Sequence, residues 1–213
     1  MRIEIHTRSK MLPELIEGPA LHSAPIFRVF ELSKGCKPYM LIGYDEQGQE
    51  MGHILVVKHR SIRLIPPVLS YWYTINGEGA YRKEYGNTER ERIFAMFLEK
   101  VFDMLDFRHS FIEVNNIEDS RFAYGTLSSH NFVPRRDRRL YISLHSKAPQ
   151  DRLTRAYKAH IRNALNRGVT YSQATTTAEI NEGLRLLRNY YRSKIQRNLP
   201  REKALRSLLH QPD

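Results

Sequence analysis

The stretch best suited to ligand chemistry begins at Gly77, Gly79, Tyr81, Arg82 and Lys83 and ends at Gly86-Asn-Thr88. Glycines let a backbone turn tightly and approach a ligand, and Arg82 and Lys83 supply positive charge. A helix starting directly beyond them would aim its first N–H groups at the same place, which suits a phosphate or diphosphate. Tyr81, beside the two cations, is expected to face that ligand. The competing reading is a glycine-rich turn that binds nothing. A second cluster lies on a later helix, where Arg155, Lys158 and Arg162 fall within ~60° of one another on a helical wheel. Such a stripe suits the phosphates of tRNA, of a nucleotide-linked precursor or of a membrane surface, or is simply a solvated face.

Other chemistries find less support. The nine histidines are scattered, with no His-Glu-x-x-His pattern and no neighbouring Cys/His pair, so no metal site is expected. Ser128-Ser129-His130 offers a nucleophile and a base, but adjacent helical residues do not face each other, and the stretch reads as a helix end. Asn115-Asn116 reads as a strand terminator. No residue is assigned a catalytic role.

The elements that must position these residues follow from hydrophobic periodicity. Val68–Ile75 reads as a strand, and its aromatic run places Tyr71 and Tyr73 on one face and Trp72 on the other. After the glycine loop, Thr88 and Glu91 form a capping box. Ile93/Phe97/Val101 and Phe94/Leu98/Phe102/Leu105 then make two ridges of a helix lying flat on a sheet. Ser110–Asn115 is the next strand, parallel to the first, and ligands of such units bind beyond the carboxyl ends of the strands. Before this unit, a turn of helix is expected at Met11–Ile16 and strands at Ile26–Phe30, Pro38–Tyr44 and Glu50–Val57, the last two joined as a hairpin by Asp45-Glu-Gln-Gly48. Arg60–Pro67 is a break. After the unit come a short helix over Asp119–His130, with Phe122, Leu127 and Tyr124 inward, and a closing strand at 138–144.

Beyond residue 146 the character changes. Asp151–Arg167 reads as a helix stopped by Gly168, with Leu153, Tyr157, Ile161, Ala164 and Leu165 as its apolar arc. A short strand is expected at Val169–Ser172. Thr176 and Glu179 form a second capping box, followed by a helix over Thr177–Gln196 with Ile180, Leu184, Leu187, Tyr191 and Ile195 at spacings of four, three, four and four. Pro200 stops it, and Leu205, Leu208 and Leu209 begin another. The fold expected is α/β (α+β), a mixed sheet with helices on its faces over residues 1–146, then a basic helical segment over 147–213.

Charge follows the same division. Residues 1–133 hold 16 Lys/Arg and 17 Asp/Glu, whereas 134–213 hold 18 and 6, so the whole net charge of +11 lies in the last 80 residues. That asymmetry points to an anionic partner. The single cysteine, Cys36, excludes an internal disulfide and fits a reducing, cytoplasmic setting. No apolar run reaches the ~18 residues of a membrane span, and the first residues lack a signal-peptide core.

The order of meander, glycine-bearing loop, helix, strand, short helix and closing strand resembles the GNAT acyltransferase lobe. From Ile142 onward, Ser143-Leu-His-Ser-Lys, Pro149, Asp151-Arg-Leu, Ile161-Arg, Ala164, Gly168-Val, Tyr191, Lys194 and Leu199-Pro200 resemble the FemAB-type family of tandem-GNAT peptidoglycan aminoacyltransferases. The resemblance is best over roughly residues 90–200. It implies aminoacyl-tRNA or an acyl-CoA as donor substrate, no tightly bound cofactor, and an acceptor amine on a lipid- or nucleotide-linked cell-wall precursor. It also implies a second lobe for which this chain has no room, so the 177–196 helix is expected to lack its cover and to self-associate or fold back. The GNAT diphosphate pattern, Arg/Gln-x-x-Gly-x-Gly/Ala, aligns with Lys83-Glu-Tyr-Gly86-Asn-Thr88 and departs from it at Lys83 and Thr88. Where many GNAT enzymes place a tyrosine acid five residues before the Phe of a Gly-Phe pair, this chain has Leu127 and Asn131-Phe132. Both departures imply that acetyl-CoA is not the donor. The alternative class is a non-catalytic basic module binding nucleic acid or a protein partner.

Overall fold

The computed structural model describes residues 1–33, 35–60, 71–105, 111–135, 148–195 and 205. They form two compact units, Met1–Phe132 with Leu187–Asp213, and Val133–Leu186.

The first unit is built on a mixed sheet. β1 (Arg2–His6), β2 (Cys36–Tyr44), β3 (Glu50–Arg60) and β4 (Tyr71–Asn76) form an antiparallel meander, and β6 (Phe111–Asn115) joins β4 in parallel. A two-residue strand, β5 (Ala80–Tyr81), pairs antiparallel with the start of β3. The hairpin turn between β2 and β3 is fixed by Asp45, whose side chain accepts the Gln47 and Gln49 N–H groups at 3.0 and 2.8 Å.

β2 and β3 are apolar on both faces because both faces are covered. On one, Phe27 of α1 (Ala24–Leu32) meets Met40, Ile42, Leu55 and Val57. On the other, α2 (Asn87–Asp103) sets Ile93, Phe94, Phe97, Leu98 and Val101 against Leu41, Ile54, Val56, Tyr73 and Ile75. All five α2 side chains are fully buried, and each such burial contributes ~1.5–3 kcal/mol. The two ridges read from the sequence are therefore the core face of α2.

Several expectations are corrected. Ile26–Phe30 is helix, not strand: Ser23 accepts the Ile26 N–H at 3.5 Å, Pro25 occupies the first turn, and Ile26, Phe27, Val29 and Phe30 recur at helical spacing. The early turn of helix is a 3-10 turn at Ser9–Met11 rather than Met11–Ile16. Thr88 and Glu91 make no capping box, since Gly86 is the N-cap and Glu91 accepts instead from the Ala123 N–H at 3.2 Å. That contact holds Ala123 at φ 53°, a left-handed conformation that costs an L-residue energy. α3 is confined to Tyr124–Ser129, and Tyr124 is exposed while Phe122 is buried.

The second unit holds a 3-10 turn at Pro149–Arg152, α4 (Arg155–Asn166) and most of α5 (Thr177–Tyr190). α4 starts at Arg155, not Asp151, because Thr154 caps it through the Tyr157 N–H. Gly168 ends it at φ 80°, as expected of a left-handed C′ glycine. Among the described residues, Val169–Ser172 pairs with no strand. The Thr176/Glu179 capping box forms: Glu179 Oε2 accepts the Thr176 N–H at 2.9 Å and Thr176 Oγ1 accepts the Glu179 N–H at 3.3 Å. Those backbone donors hold the Glu179 carboxyl below its ordinary pKa. The α-helix ends at Tyr190 in a π-helical turn over Tyr191–Ile195. Ile180 and Leu184 are buried and Tyr191 is half-buried, whereas Leu187 and Ile195 are exposed, so the apolar stripe is covered only in part. The closing strand at 138–144, the break after Arg60, Val68–Ser70, Ser110, Pro200 and the 205–209 helix start, Leu205 apart, lie outside the described residues.

Candidate functional site

β4 and β5 both run antiparallel to β3, but their registers differ by two residues: Val56 faces Ile75, and Gly52 faces Tyr81. They are one strand interrupted by a wide bulge at Gly77–Gly79. β6 accompanies β4 through Asn76 and Asn115, and the Gly77 N–H still reaches the Asn115 carbonyl at 2.8 Å, but β6 does not pair with β5. The two parallel strands therefore part at the bulge. This is the carboxyl edge at which open α/β sheets bind ligands.

Gly77 and Gly79 adopt φ 94° and 103°, where a side chain would be strained, and a Cβ at Gly79 would meet Ile54 Cγ2 at 2.8 Å. His22 holds this bulge from beneath. Its Nδ1 accepts the Leu55 N–H at 2.9 Å, and its Nε2 lies 3.1 Å from the Gly79 nitrogen and is bonded to the Gly77 backbone. Through its two ring nitrogens His22 thus ties the backbone of β3 to the Gly77–Gly79 turn. Burial keeps this imidazole neutral, holding its pKa down at about 3, with His53 nearby adding to the effect.

Glu78, between the glycines, spans the gap. Its Oε1 accepts three successive N–H groups, those of Ile117, Glu118 and Asp119, at 2.6, 2.8 and 3.1 Å. Asn115 and Asn116 are held inward, one to Asn76 Oδ1 at 3.0 Å and the other to the Phe122 carbonyl at 2.8 Å. Both therefore serve the strand end, as the sequence suggested.

Tyr81 does not face outward. Its ring is buried against Phe122 and its hydroxyl donates to the Glu78 carbonyl at 2.7 Å; burial pushes its pKa far up. β5 formation accounts for this, because pairing with Gly52 turns the ring into the core. Arg82 bonds Asp45 Oδ2 at 2.9 Å and the Glu50 carbonyl, tying the loop to the hairpin turn. Lys83 pairs with Glu17 at 2.7 Å with both side chains more than 80% exposed, a contact worth little. Gly86 sits at the N-terminus of α2, exposed, with open space around its Cβ position and no side chain capping the helix. Gly77 and Gly79 are thus buried within the bulge and Gly86 lies exposed at the helix start, while Tyr81 and Arg82 hold the loop from behind.

At the end of α3, Asn131 adopts φ 61°, a left-handed conformation that glycine enters freely and asparagine tolerates. Leu127 packs against the core. His130 Nδ1 lies 2.8 Å from the Thr126 carbonyl and Ser129 donates to that same oxygen at 2.8 Å, the geometry of a helix end.

The second candidate cluster lies in the second unit. Arg155, Lys158 and Arg162 are exposed along α4, and no described carboxylate lies within ion-pair distance of them. No residue of α4 is buried; Tyr157, Ile161 and Leu165 of its apolar arc are exposed too. Among the described residues no helix is long and apolar enough to cross a membrane, and no group of three His, Cys, Asp or Glu is arranged to hold a metal.

Residues that the sequence reading passed over are His22, Glu78 and the Cys36–His59 pair. The last had no local signal: the register at the turn, Tyr44 opposite Glu50, would set Cys36 opposite Lys58, and only the bulge between Gly43 and Tyr44 shifts it to His59.

No family model and no curated protein matches this chain. Among solved structures, an aminoglycoside antibiotic 6′-N-acetyltransferase from Acinetobacter baumannii shares 13% identity, covering 67% of this chain and 97% of its own, with a TM-score of 0.41. A probable acetyltransferase shares 14%, covering 69% and 99%, at 0.44. A transcriptional regulator from Bacillus halodurans C-125 shares 11%, covering 66% and 100%, at 0.38. Likenesses of this size assign no activity.

Proposed function

We propose that the first unit is the lobe of an acyl- or aminoacyltransferase of the GNAT/FemAB kind, which moves an acyl or aminoacyl group onto an amine. The observation that carries this reading is the parting of β4 and β6 at the Gly77–Gly79 bulge, followed by the exposed, uncapped N-terminus of α2. An extended, amide-bearing donor can lie along parted strands by backbone hydrogen bonding, and its phosphates suit a helix N-terminus. The donor is aminoacyl-tRNA or an acyl-CoA other than acetyl-CoA, and the acceptor amine belongs to a cell-wall precursor. Among the described residues the carboxylate at the parted strands, Glu78, is taken up by three backbone N–H groups, so the transfer relies on positioning and oxyanion stabilisation, with the acceptor amine losing its proton to solvent or substrate. The test is a thermal-shift screen with acyl-CoAs, a UDP-linked muropeptide and aminoacyl-tRNA, since a ligand that binds only the native state raises its melting temperature. A shift with none of them removes the reading.

A second reading rests on α4. Its exposed cations and lack of buried residues favour a basic module that binds RNA without catalysis. Strongly salt-dependent tRNA binding with no transfer to any amine would favour that module over the enzyme.

A further inference from the structure

Away from the parted strands, near the start of β2, three side chains from three adjacent strands form a chain. Cys36 Sγ lies 3.5 Å from His59 Nδ1, and His59 Nε2 lies 2.8 Å from Thr74 Oγ1. Cys36 and His59 are direct partners across the β2–β3 ladder, so the contact is set by the sheet and not by loop geometry. The imidazole is locked in place: it is buried, stacked on Trp72 at 5.0 Å between centroids, and met edge-on by Phe30 at 6.2 Å. With its proton on Nε2 and donated to Thr74, His59 presents the Nδ1 lone pair to the thiol. Cys36 itself is half-buried.

We propose that Cys36 is an activated thiol, with His59 as its base and Thr74 orienting the imidazole, and that it is a site of modification by small disulfides. Lys37, Lys58 and Arg60 alternate onto the other face of the sheet, where Lys37 lies over the Tyr39 ring and Lys58 over the Tyr71 ring, so stabilisation of the thiolate falls to His59. α1 contributes Arg28, exposed, and Glu31, which is bonded to Ser9; β4 contributes Thr74 and Trp72. In the reaction the Cys36 proton passes to His59 Nδ1. The thiolate attacks one sulfur of the disulfide, the S–S bond breaks, and the departing thiolate takes the proton from the imidazolium. The product is a mixed disulfide on Cys36. The chain has no second cysteine to resolve it, so an external thiol must reverse the modification.

Because Cys36 is the sole thiol, the assay is unambiguous. The full chain is incubated with oxidised glutathione across pH, and adduct formation is followed by intact mass. One adduct per chain is expected, absent in Cys36→Ser, with a pH–rate midpoint clearly below the ~8.5 of an ordinary cysteine. His59→Gln should raise that midpoint and slow the reaction at pH 7 by about 3–10-fold, the gain in intrinsic nucleophilicity offsetting part of the lost thiolate. Thr74→Val keeps the side-chain shape and removes the hydrogen-bond acceptor; it should move the midpoint the same way by less, and it serves as the test if His59→Gln does not fold. A wild-type midpoint of about 8.5 or above, or no adduct, overturns the proposal whatever the variants do. So does an unchanged profile in folded His59→Gln or, failing that, in folded Thr74→Val.

Discussion

The sheet unit and the helical unit hold their shapes by opposite means. In the first, nearly every element is fixed by what it buries: five fully buried side chains on α2, apolar strands covered on both faces, and polar groups such as His22 matched to backbone partners. In the second, α4 buries nothing and its ends are set locally, by the Thr154 cap and by Gly168. α5 likewise opens on a capping box, with only Ile180 and Leu184 buried. Core packing stabilises far more than local signals do, and a short helix on its own is marginal in water. The lesson is that the two units should respond differently to the same kind of change.

The largest expected difference is in acid. His22 has a folded pKa of about 3, below its unfolded value of about 6.5. Between those values the unfolded chain binds the extra proton, so stability present above pH ~6.5 drains as pH falls toward ~3, at ~1.4 kcal/mol per pH unit and ~4–5 kcal/mol in all. Urea unfolding at several pH values should show this slope for the sheet unit, and His22→Gln should flatten it. Next comes Leu98→Ala, which should cost about 3 kcal/mol because Leu98 is fully buried, whereas Ile161→Ala on α4 should cost under ~0.5 kcal/mol. Equal losses at the two sites would erase the contrast. Thr176→Ala, which removes half of the α5 capping box, should cost ~1 kcal/mol, with amide exchange rising locally in the first turn. The smallest effect is reserved for Arg155→Ala/Lys158→Ala/Arg162→Ala. It should leave stability within ~0.5 kcal/mol, yet flatten the log K against log salt slope for tRNA by ~2–3 units if those cations contact phosphates. An unchanged slope returns the stripe to a solvated face.

The same contrast decides what was legible in the sequence. Long periodic signals read true: the two ridges of α2, the β2–β3 hairpin, the parallel pairing of β4 with β6, and the capping box at Thr176. Short signals failed where tertiary contacts outweighed them. The β-branched and aromatic run at Ile26–Phe30 became helix because Ser23 and Pro25 start one and Phe27 has a core to fill. Thr88 lost its cap role to Gly86, and Glu91 went to Ala123, thirty-two residues away in sequence. Gly77 and Gly79 stood out as a turn, but the bulge they form was not legible, since it exists only as a register difference against β3. Tyr81 was misjudged for the same reason: a two-residue strand has no periodicity to read. His22 reaches the bulge across more than fifty residues of sequence, a distance no local pattern spans.

The central claim is that a donor substrate lies along the parted strands with its phosphates at the N-terminus of α2. Gly86 tests it directly, because it has φ −73° and nothing within 4 Å of its Cβ position, so Gly86→Trp blocks the helix end without straining the fold. The measurement is calorimetric titration of wild type and Gly86→Trp with whichever donor gives the largest thermal shift, alongside acetyl-CoA. Saturable binding of an aminoacyl-tRNA or longer acyl-CoA that is lost in Gly86→Trp, with no saturable acetyl-CoA binding, is the predicted result. Donor binding that survives Gly86→Trp unchanged, or tight acetyl-CoA binding that the substitution abolishes, would contradict it.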